Sequence, residues 1–343
     1  MKAALKLVSA LSALALVQAQ ELDKPALSDD LDYLKEGNTN ALPIRTSTIS
    51  QWPAGSLPKD CKDLAEGEDK SAADMEVYEV KYSDCGDPWL FCRHKDVEVD
   101  IEKAAETFSR VPLRMRDWVR QVLLFPGSNS AFAINGNVAF IGTTGENVDV
   151  MLHETGHGVD GFAAFGENLK TASEGFLAAY DSDTHVPDNY ARSSQAENVA
   201  QNIVVAVYDS NVDGGFPGAQ PNSDAISNQY EYIKKLGGDA LKPAGPDETC
   251  DRHLENSETV QLDSRLSSSS VSPTPSSSAT PSSSATPSSS ATPSSSASAS
   301  PTPSTSSAQS VVFRRAYKPN SVFRREYKNI VRDFEPFEFR ETF

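Results

Sequence analysis

Two segments in the middle of the chain carry apolar residues at helical spacing. In the first, Val148, Met151, Leu152 and Val159 recur on one face of a helix. A threonine and a glutamate stand at capping-box spacing in the lead-in, 143–146, so we expect the helix to begin there. Three glycines follow, which indicates either close packing against another backbone or an early end of the helix.

The second segment covers about residues 194–208. Its apolar stripe is formed by Ala200, Ile203, Val204 and Val207, which recur at offsets of 0, 3, 4 and 7. This spacing predicts a second helix with one buried face. A carboxylate lies one turn before the stripe and would share that face.

Two further patterns complete the predicted fold. Residues 131–141 have the pattern of two strands joined by an Asn-Gly turn, which is typical of a β-hairpin. Residues 101–124 have the pattern of one long helix, whose four arginines we interpret as a solvated face. Together the patterns predict an α+β domain, in which a small, mostly antiparallel sheet packs on the first helix and the second helix crosses beneath.

The first helix carries the sequence H-E-T-G-H at 153–157. Residues four positions apart on an α-helix are rotated by only about 40°, so His153 and His157 face the same way. Two imidazoles placed in this way can hold one Zn²⁺. Glu154 lies one position round, where it can take a proton from a water that the metal activates. The alternative is an ordinary surface helix with two histidines.

Glu197 is the candidate third ligand. It lies three residues before Ala200 and continues the apolar stripe of the second helix. A carboxylate on a buried helix face is costly unless it is paired, hydrogen-bonded or bound to metal. The alternative is that Glu197 completes a capping box with Ser194, three residues earlier.

The two motifs together resemble the catalytic domain of anthrax lethal factor and of the related secreted Pro-Pro endopeptidases. The resemblance rests on H-E-x-G-H-x-x-D at 153–160, then Tyr190, then Glu197 seven residues later. It covers roughly residues 130–210. It implies a zincin-like metalloprotease core, in which the second helix carries the last metal ligand.

Carried over to this chain, the resemblance implies that His153, His157 and Glu197 bind one Zn²⁺ per chain. It implies that Glu154 is the general base and that the Tyr190 hydroxyl stabilises the oxyanion. The chain would then be a zinc-dependent endopeptidase acting on a peptide or protein substrate. The alternative is a cell-wall-associated structural or binding protein on a catalytically silent zincin fold, and an intact general base favours the enzyme.

The domain also resembles the fungal conidiation-specific secreted proteins. This second resemblance rests on Cys85 and Cys92, which have six residues between them including Trp89, and on His94 just after, all ahead of the metal motif. The molecular role of that family does not follow from these residues.

The first 19 residues have the pattern of a secretory signal peptide. Two lysines precede an apolar run from Leu7 to Val17, and a small-residue cleavage site ends at Ala19. We therefore expect a secreted, extracellular protein that is cell-wall associated or free. No later apolar run approaches the roughly 20 residues that a transmembrane helix needs.

The secretory route permits disulfide bonds. Four cysteines allow three pairings, and the sequence alone does not choose among them. We favour a small loop closed by Cys85–Cys92, with Cys61–Cys250 joining the two ends of the folded region. The absence of paired C-x-x-C motifs argues against metal binding by these cysteines.

Composition divides the remainder of the chain. Residues 20–58 are polar and form an N-terminal arm or a pro-segment, and 59–252 form the metallopeptidase-like domain. Residues 253–310 are interpreted as a disordered Ser/Thr/Pro-rich stalk, with O-glycosylation as the expected modification. Residues 311–343 form a basic aromatic tail, in which V-F-R-R-x-Y-K recurs ten residues on.

Charge narrows the choice of partners. The formal net charge of −17 argues against nucleic acid. The basic tail is compatible with docking on anionic cell-wall polysaccharide or lipid, with folding back, with processing at its paired arginines, and with no function. We expect a monomer.

Overall fold

The computed structural model describes residues 21–170, 173–250 and 253–262, and the backbone of 313–316. The predicted signal peptide and most of the predicted stalk and tail lie outside the described residues. The strands are β1 (Ala26–Ser28), β2 (Ser47–Gln51), β3 (Ser56–Pro58), β4 (Met75–Tyr82), β5 (Trp89–His94), β6 (Gln121–Phe125), β7 (Ser130–Ile134), β8 (Asn137–Ile141), β9 (Val186–Asp188), β10 (Thr259–Gln261) and β11 (Phe313–Ala316). The helices are α1 (Lys35–Ala41), α2 (Lys59–Gly67), α3 (Ile101–Ser109), α4 (Leu113–Arg116), α5 (Val148–Gly161), α6 (Glu174–Ser182), α7 (Gln195–Asn211), α8 (Gly215–Ala219) and α9 (Ser227–Gly237).

The central sheet is mixed. Its strands lie in the order β11-β7-β8-β6-β5-β4-β2. The central strands β5, β6 and β8 run parallel, whereas the pairs on either side of them are antiparallel. The predicted α+β class is confirmed, but the expected mostly antiparallel sheet is a mixed one. Helices α3 and α4 return the chain from β5 to the parallel strand β6, and the β7–β8 hairpin places β8 parallel to β6.

The predicted helix over 101–124 is wrong. The chain forms α3, starts the short α4 after Pro112, and then enters β6. Proline restricts the residue before it to extended backbone, which ends α3 early. All five residues of β6 are buried. A short apolar run buried on both faces cannot be told from a helix by periodicity.

The arginines of this segment are not a solvated face. Arg116 is 1% exposed and forms an ion pair with Asp84. Its guanidinium carbon lies 4.9 Å from the ring centre of Tyr82 and 5.2 Å from that of Trp89. Arg110 donates hydrogen bonds to two carbonyl groups of the N-terminal arm. These side chains therefore connect elements inside the domain.

The sheet separates two cores. In β5, Trp89 and Phe91 face the larger core, which contains α5 and α7, whereas Leu90 and Cys92 face the smaller one beside α2. This alternation is the two-residue period of a strand with both faces covered. The hairpin predicted over 131–141 is confirmed as β7 and β8, with its two turn residues at positive φ.

The disulfides are Cys61–Cys92 and Cys85–Cys250, so the favoured pairing is wrong. Cys92 lies within β5 and points into the smaller core, where Cys61 of α2 is its neighbour. Cys85 lies in the connection after β4, and the backbone N–H of Cys250 donates to the Asp84 carbonyl there. Because Cys85 belongs to the larger core and Cys92 to the smaller one, on opposite faces of the sheet, the Cys85–Cys92 loop does not form.

Residues 253–262 are folded, although the predicted stalk began at 253. Strand β10 pairs antiparallel with β3. The Ser257 hydroxyl accepts from the backbone N–H of Asp60 at 3.0 Å, and the Glu258 carbonyl accepts from that of Lys59. The predicted boundary at 252 is therefore corrected to beyond Leu262. A three-residue strand in polar sequence carries no periodic signal.

The N-terminal arm is packed into the domain. Strand β1 pairs parallel with β9, which leads into the metal-site region. Leu31, Leu34 and Leu42 belong to the larger core. Across the described residues, no helix is long and apolar enough to cross a membrane.

Peptide mapping under non-reducing conditions is expected to recover Cys61 with Cys92 and Cys85 with Cys250. The bridges close segments of 31 and 165 residues. Removing either bridge by a paired Cys→Ser substitution is expected to lower the free energy of unfolding by about 2–5 kcal/mol. Recovery of a Cys85–Cys92 peptide would contradict the structure.

Candidate metal centre

Helix α5 presents both histidines to the interior. It begins at Val148, where the Asn147 side chain caps it by accepting the Asp149 N–H at 3.0 Å. The predicted start at 143–146 is instead a separate 3₁₀ turn. His153 and His157 are both buried, so the surface-helix alternative does not hold.

The glycines of α5 allow close packing against neighbouring segments and do not mark an early end of the helix. A Cβ atom on Gly156 would lie 3.3 Å from Ile203 Cδ1 of α7. A Cβ atom on Gly158 would lie 3.1 Å from the backbone carbonyl oxygen of Trp118. The helix nevertheless continues to Gly161. Side chains on α5 and α7 near this contact can therefore meet.

Helix α7 brings Glu197 to the same place. Ser194 caps the helix, and its hydroxyl accepts the Glu197 N–H at 3.2 Å. The Glu197 carboxylate turns inward towards His153 and His157. The capping alternative is thus correct for the Ser194 hydroxyl and the Glu197 backbone, while the carboxylate is free to take part in the buried centre.

The three predicted ligand atoms converge. His153 Nε2 lies 3.0 Å from Glu197 Oε2 and 3.1 Å from His157 Nε2, and His157 Nε2 lies 3.3 Å from Glu197 Oε2. Ligands held at 2.0–2.1 Å around a tetrahedral zinc stand about 3.3–3.4 Å apart. The observed triangle is close to one face of that tetrahedron, so the residues fit a zinc ion.

Charge at the centre suits a cation. Burial acts to raise the pKa of the Glu197 carboxyl, but the adjacent imidazoles of His157 and His153 outweigh burial and hold that pKa well below its usual range. The carboxyl is therefore ionised, which is the form that binds metal.

Glu154 and Tyr190 lie beside this triangle. Glu154 is fully buried, and its ligand atom and those of His153 and His157 all lie within 4.8 Å of one another. Tyr190 is half-buried, and its ring centre lies 5.6 Å from that of His153. The structure thus brings together all five residues that the sequence selected.

Two more buried residues adjoin the centre, although the sequence analysis did not select them. Gln201 contacts the ring of His153 from the side opposite Glu197, and Asp188 contacts Gln201. Gln201 stands four residues after Glu197, so helical spacing alone could have placed it on the same face. Asp188 lies in a three-residue strand and gave no such signal.

Asp160 holds the loop that follows α5. It is 2% exposed, and its Oδ1 accepts the backbone N–H of Leu169 at 2.6 Å. Burial raises the pKa of this carboxyl, and the nearby Lys170 ammonium opposes that rise. These contacts with the loop fix the path of the chain after the metal motif.

Comparison with known proteins identifies relatives of the whole domain. A family model described as conidiation-specific protein Con-13 matches residues 28–295. Conidiation-specific protein 13 of Neurospora crassa is 31% identical over 231 residues, which is 65% of this chain. The chain spans just under two thirds, 66%, of the length of that curated relative. The expected resemblance to conidiation-specific proteins is confirmed.

No solved structure matches the chain. The resemblance to the lethal-factor group therefore rests on the motif residues and on their geometry.

Substitution of two glycines in α5 tests the close packing. Gly158→Ala is expected to lower the free energy of unfolding by about 1–3 kcal/mol, because the added methyl meets a backbone carbonyl. Gly161→Ala is the matched control, with no atom within 4 Å of the added methyl. Its expected effect lies between neutral and about 1 kcal/mol stabilising. Equal effects of the two substitutions in thermal denaturation would exclude the packing constraint.

Elemental analysis of the purified protein tests metal binding. We expect one zinc per chain in the wild type and loss or loosening of that zinc in Glu197→Ala. Glu231→Ala is the control, since that glutamate is exposed on α9 away from the centre. A wild-type protein without zinc after gentle purification would rule out the site.

Proposed function

This chain belongs to the Con-13 family of conidiation-specific proteins, and from that premise we propose that it is a secreted zinc-dependent endopeptidase. The observation that carries the proposal is the triangle of His153 Nε2, His157 Nε2 and Glu197 Oε2, with sides of 3.0–3.3 Å. Three protein ligands leave a fourth position for water or substrate, which distinguishes a catalytic zinc site from a structural one.

The chemistry divides between the metal and the chain. When bound, Zn²⁺ supplies a Lewis acid and lowers the pKa of a water to about 7. Glu154 accepts a proton from water as the oxygen–carbon bond to the peptide carbonyl forms. It then delivers that proton to the leaving amine as the carbon–nitrogen bond breaks. The Tyr190 hydroxyl donates to the carbonyl oxygen as negative charge develops there.

Burial supports the assignment of Glu154 as the base. Its carboxylate is kept from bulk water and lies beside His153 and His157, so a water at the proposed metal position is the one that it would meet. Tyr190 is half-buried, and its ring lies beside that of His153. Its side chain therefore borders both the interior and the solvent.

Two disulfides support the secreted assignment. Disulfides form and persist in oxidising compartments and are rare in the cytosol. All four cysteines of the chain are engaged in them. The proposed substrate is a peptide or protein that the chain meets outside the cell, and docking of the basic tail on cell-wall polysaccharide remains a separate proposal.

Peptide-library digestion followed by mass spectrometry tests turnover. Wild-type protein is expected to cleave peptides, to lose activity with a chelator and to regain it with added zinc. Glu154→Gln is expected to keep zinc and to lower kcat by about 10²–10⁴, since it removes the general base. Tyr190→Phe is expected to lower kcat by about 10²–10³.

Glu231→Gln is the control for this experiment and is expected to match the wild type. A zinc-loaded wild type that cleaves no peptide would contradict the endopeptidase. It would favour a wall-associated binding or structural protein on the same fold.

A further inference from the structure

A chain of buried hydrogen bonds lies behind His153. Gln201 Oε1 lies 2.8 Å from His153 Nδ1, and Gln201 Nε2 donates to Asp188 Oδ2. Asp188 Oδ1 in turn accepts the backbone N–H of Ala191 at 2.8 Å. Each of the three side chains is at most 1% exposed. Bulk water therefore does not compete with these contacts.

The hydrogen-bonding capacity of each group fixes the direction of the chain. An ionised carboxylate only accepts, so Asp188 requires the NH₂ side of the Gln201 amide. The amide oxygen of Gln201 must then face His153. An amide oxygen also only accepts, so His153 Nδ1 must carry a hydrogen. A neutral imidazole protonated at Nδ1 presents a lone pair at Nε2.

We propose that Asp188 and Gln201 are positioning residues that hold the hydrogen of His153 on Nδ1, so that its Nε2 lone pair is available to a metal ion shared with Glu197 and His157. The proposal rests on the metal-binding part of the proposed function and not on peptide turnover. Gln201 acts as a relay, because its hydrogen bond with Asp188 fixes which side of its amide faces the imidazole of His153. Outer partners of metal ligands commonly set ligand orientation and basicity in this way.

The N-terminal arm fixes the far end of the relay. In the β1–β9 pair, Ser28 is the register partner of Asp188, and the Ser28 hydroxyl donates to the Pro187 carbonyl at 3.0 Å. On one side of this pair, the Lys24 ammonium donates to the Asp183 carbonyl. On the other, the N–H of Leu22 donates to a carbonyl two residues beyond Tyr190, at 2.7 Å. The backbone that carries Asp188 is thus held on both sides.

Long-range ¹H–¹⁵N NMR on the zinc-loaded protein measures which ring nitrogen of His153 carries the proton. In the wild type, we expect this proton on Nδ1. In Asp188→Asn, the new amide oxygen must accept the Ala191 N–H, so its NH₂ group faces Gln201 and reverses that amide. The reversed amide donates to Nδ1, so the His153 proton is displaced to Nε2, where it competes with zinc. Zinc affinity, measured by chelator competition, is expected to fall 10–100-fold.

A double variant provides the rescue. Gln201→Glu combined with Asp188→Asn exchanges amide and carboxylate while every donor still faces an acceptor. We expect it to restore the Nδ1–H tautomer and most of the zinc affinity, which a purely structural role would not do. Asp183→Asn is the matched control: this buried carboxylate binds Asn228 and Gln229. It is expected to lower thermal stability and leave the His153 tautomer unchanged.

A zinc-loaded wild type with the His153 proton on Nε2 would overturn the proposal, and this outcome requires no variant to fold. Unchanged zinc affinity in folded Asp188→Asn, or no recovery in a folded double variant, would also overturn it. Failure of the proposed function has a different signature. A protein with the Nδ1–H tautomer and the expected zinc responses, but without peptide cleavage, keeps the relay and loses only the endopeptidase.

Discussion

The close approach of α5 to α7 is the constraint on which the centre depends. It is possible because Gly156 has no side chain, since a Cβ there would already stand 3.3 Å from Ile203 Cδ1. The ligands come from both sides of this contact, two from α5 and Glu197 from α7. An increase in the separation of the helices would lengthen the histidine–carboxylate distances directly and would leave the three side chains as separate buried polar groups.

The burial of charged side chains at the contact between α5 and α7 has a free-energy cost, which their interactions with one another must offset. An ionised carboxylate in the interior must be compensated, and removal of one partner from a buried pair typically costs about 3–5 kcal/mol. In this centre, the imidazoles of His153 and His157 compensate the charge of Glu197. The same two imidazoles would also bind the proposed cation. If the proposed metal binds, it stabilises the folded chain by an amount that grows with metal concentration.

Local patterns in the sequence were sufficient for the two helices of the candidate centre and for the hairpin, but not for residues 101–124. Helix geometry alone places His153 and His157 on one face of α5. It also places Glu197 on the same face as the apolar stripe of α7. Both relations hold between residues that are close in the sequence. The cysteine pairing and the parallel strands depend on which distant segments become neighbours. Helical spacing could also have indicated Gln201. Nothing local indicated Asp188, whose position is set by the N-terminal arm.

The arm also has a consequence for the order of folding. Its hydrogen bonds to the β9 region join residues as far apart as Leu22 and Arg192, and Cys85–Cys250 closes a segment of 165. Contacts at such separation cost loop-closure entropy before they contribute stability, which slows their formation. A growing chain presents its H-E-T-G-H segment well before Glu197 and the last cysteine have been synthesised. A chain still in synthesis therefore carries the motif in an incomplete site until Glu197 has been added.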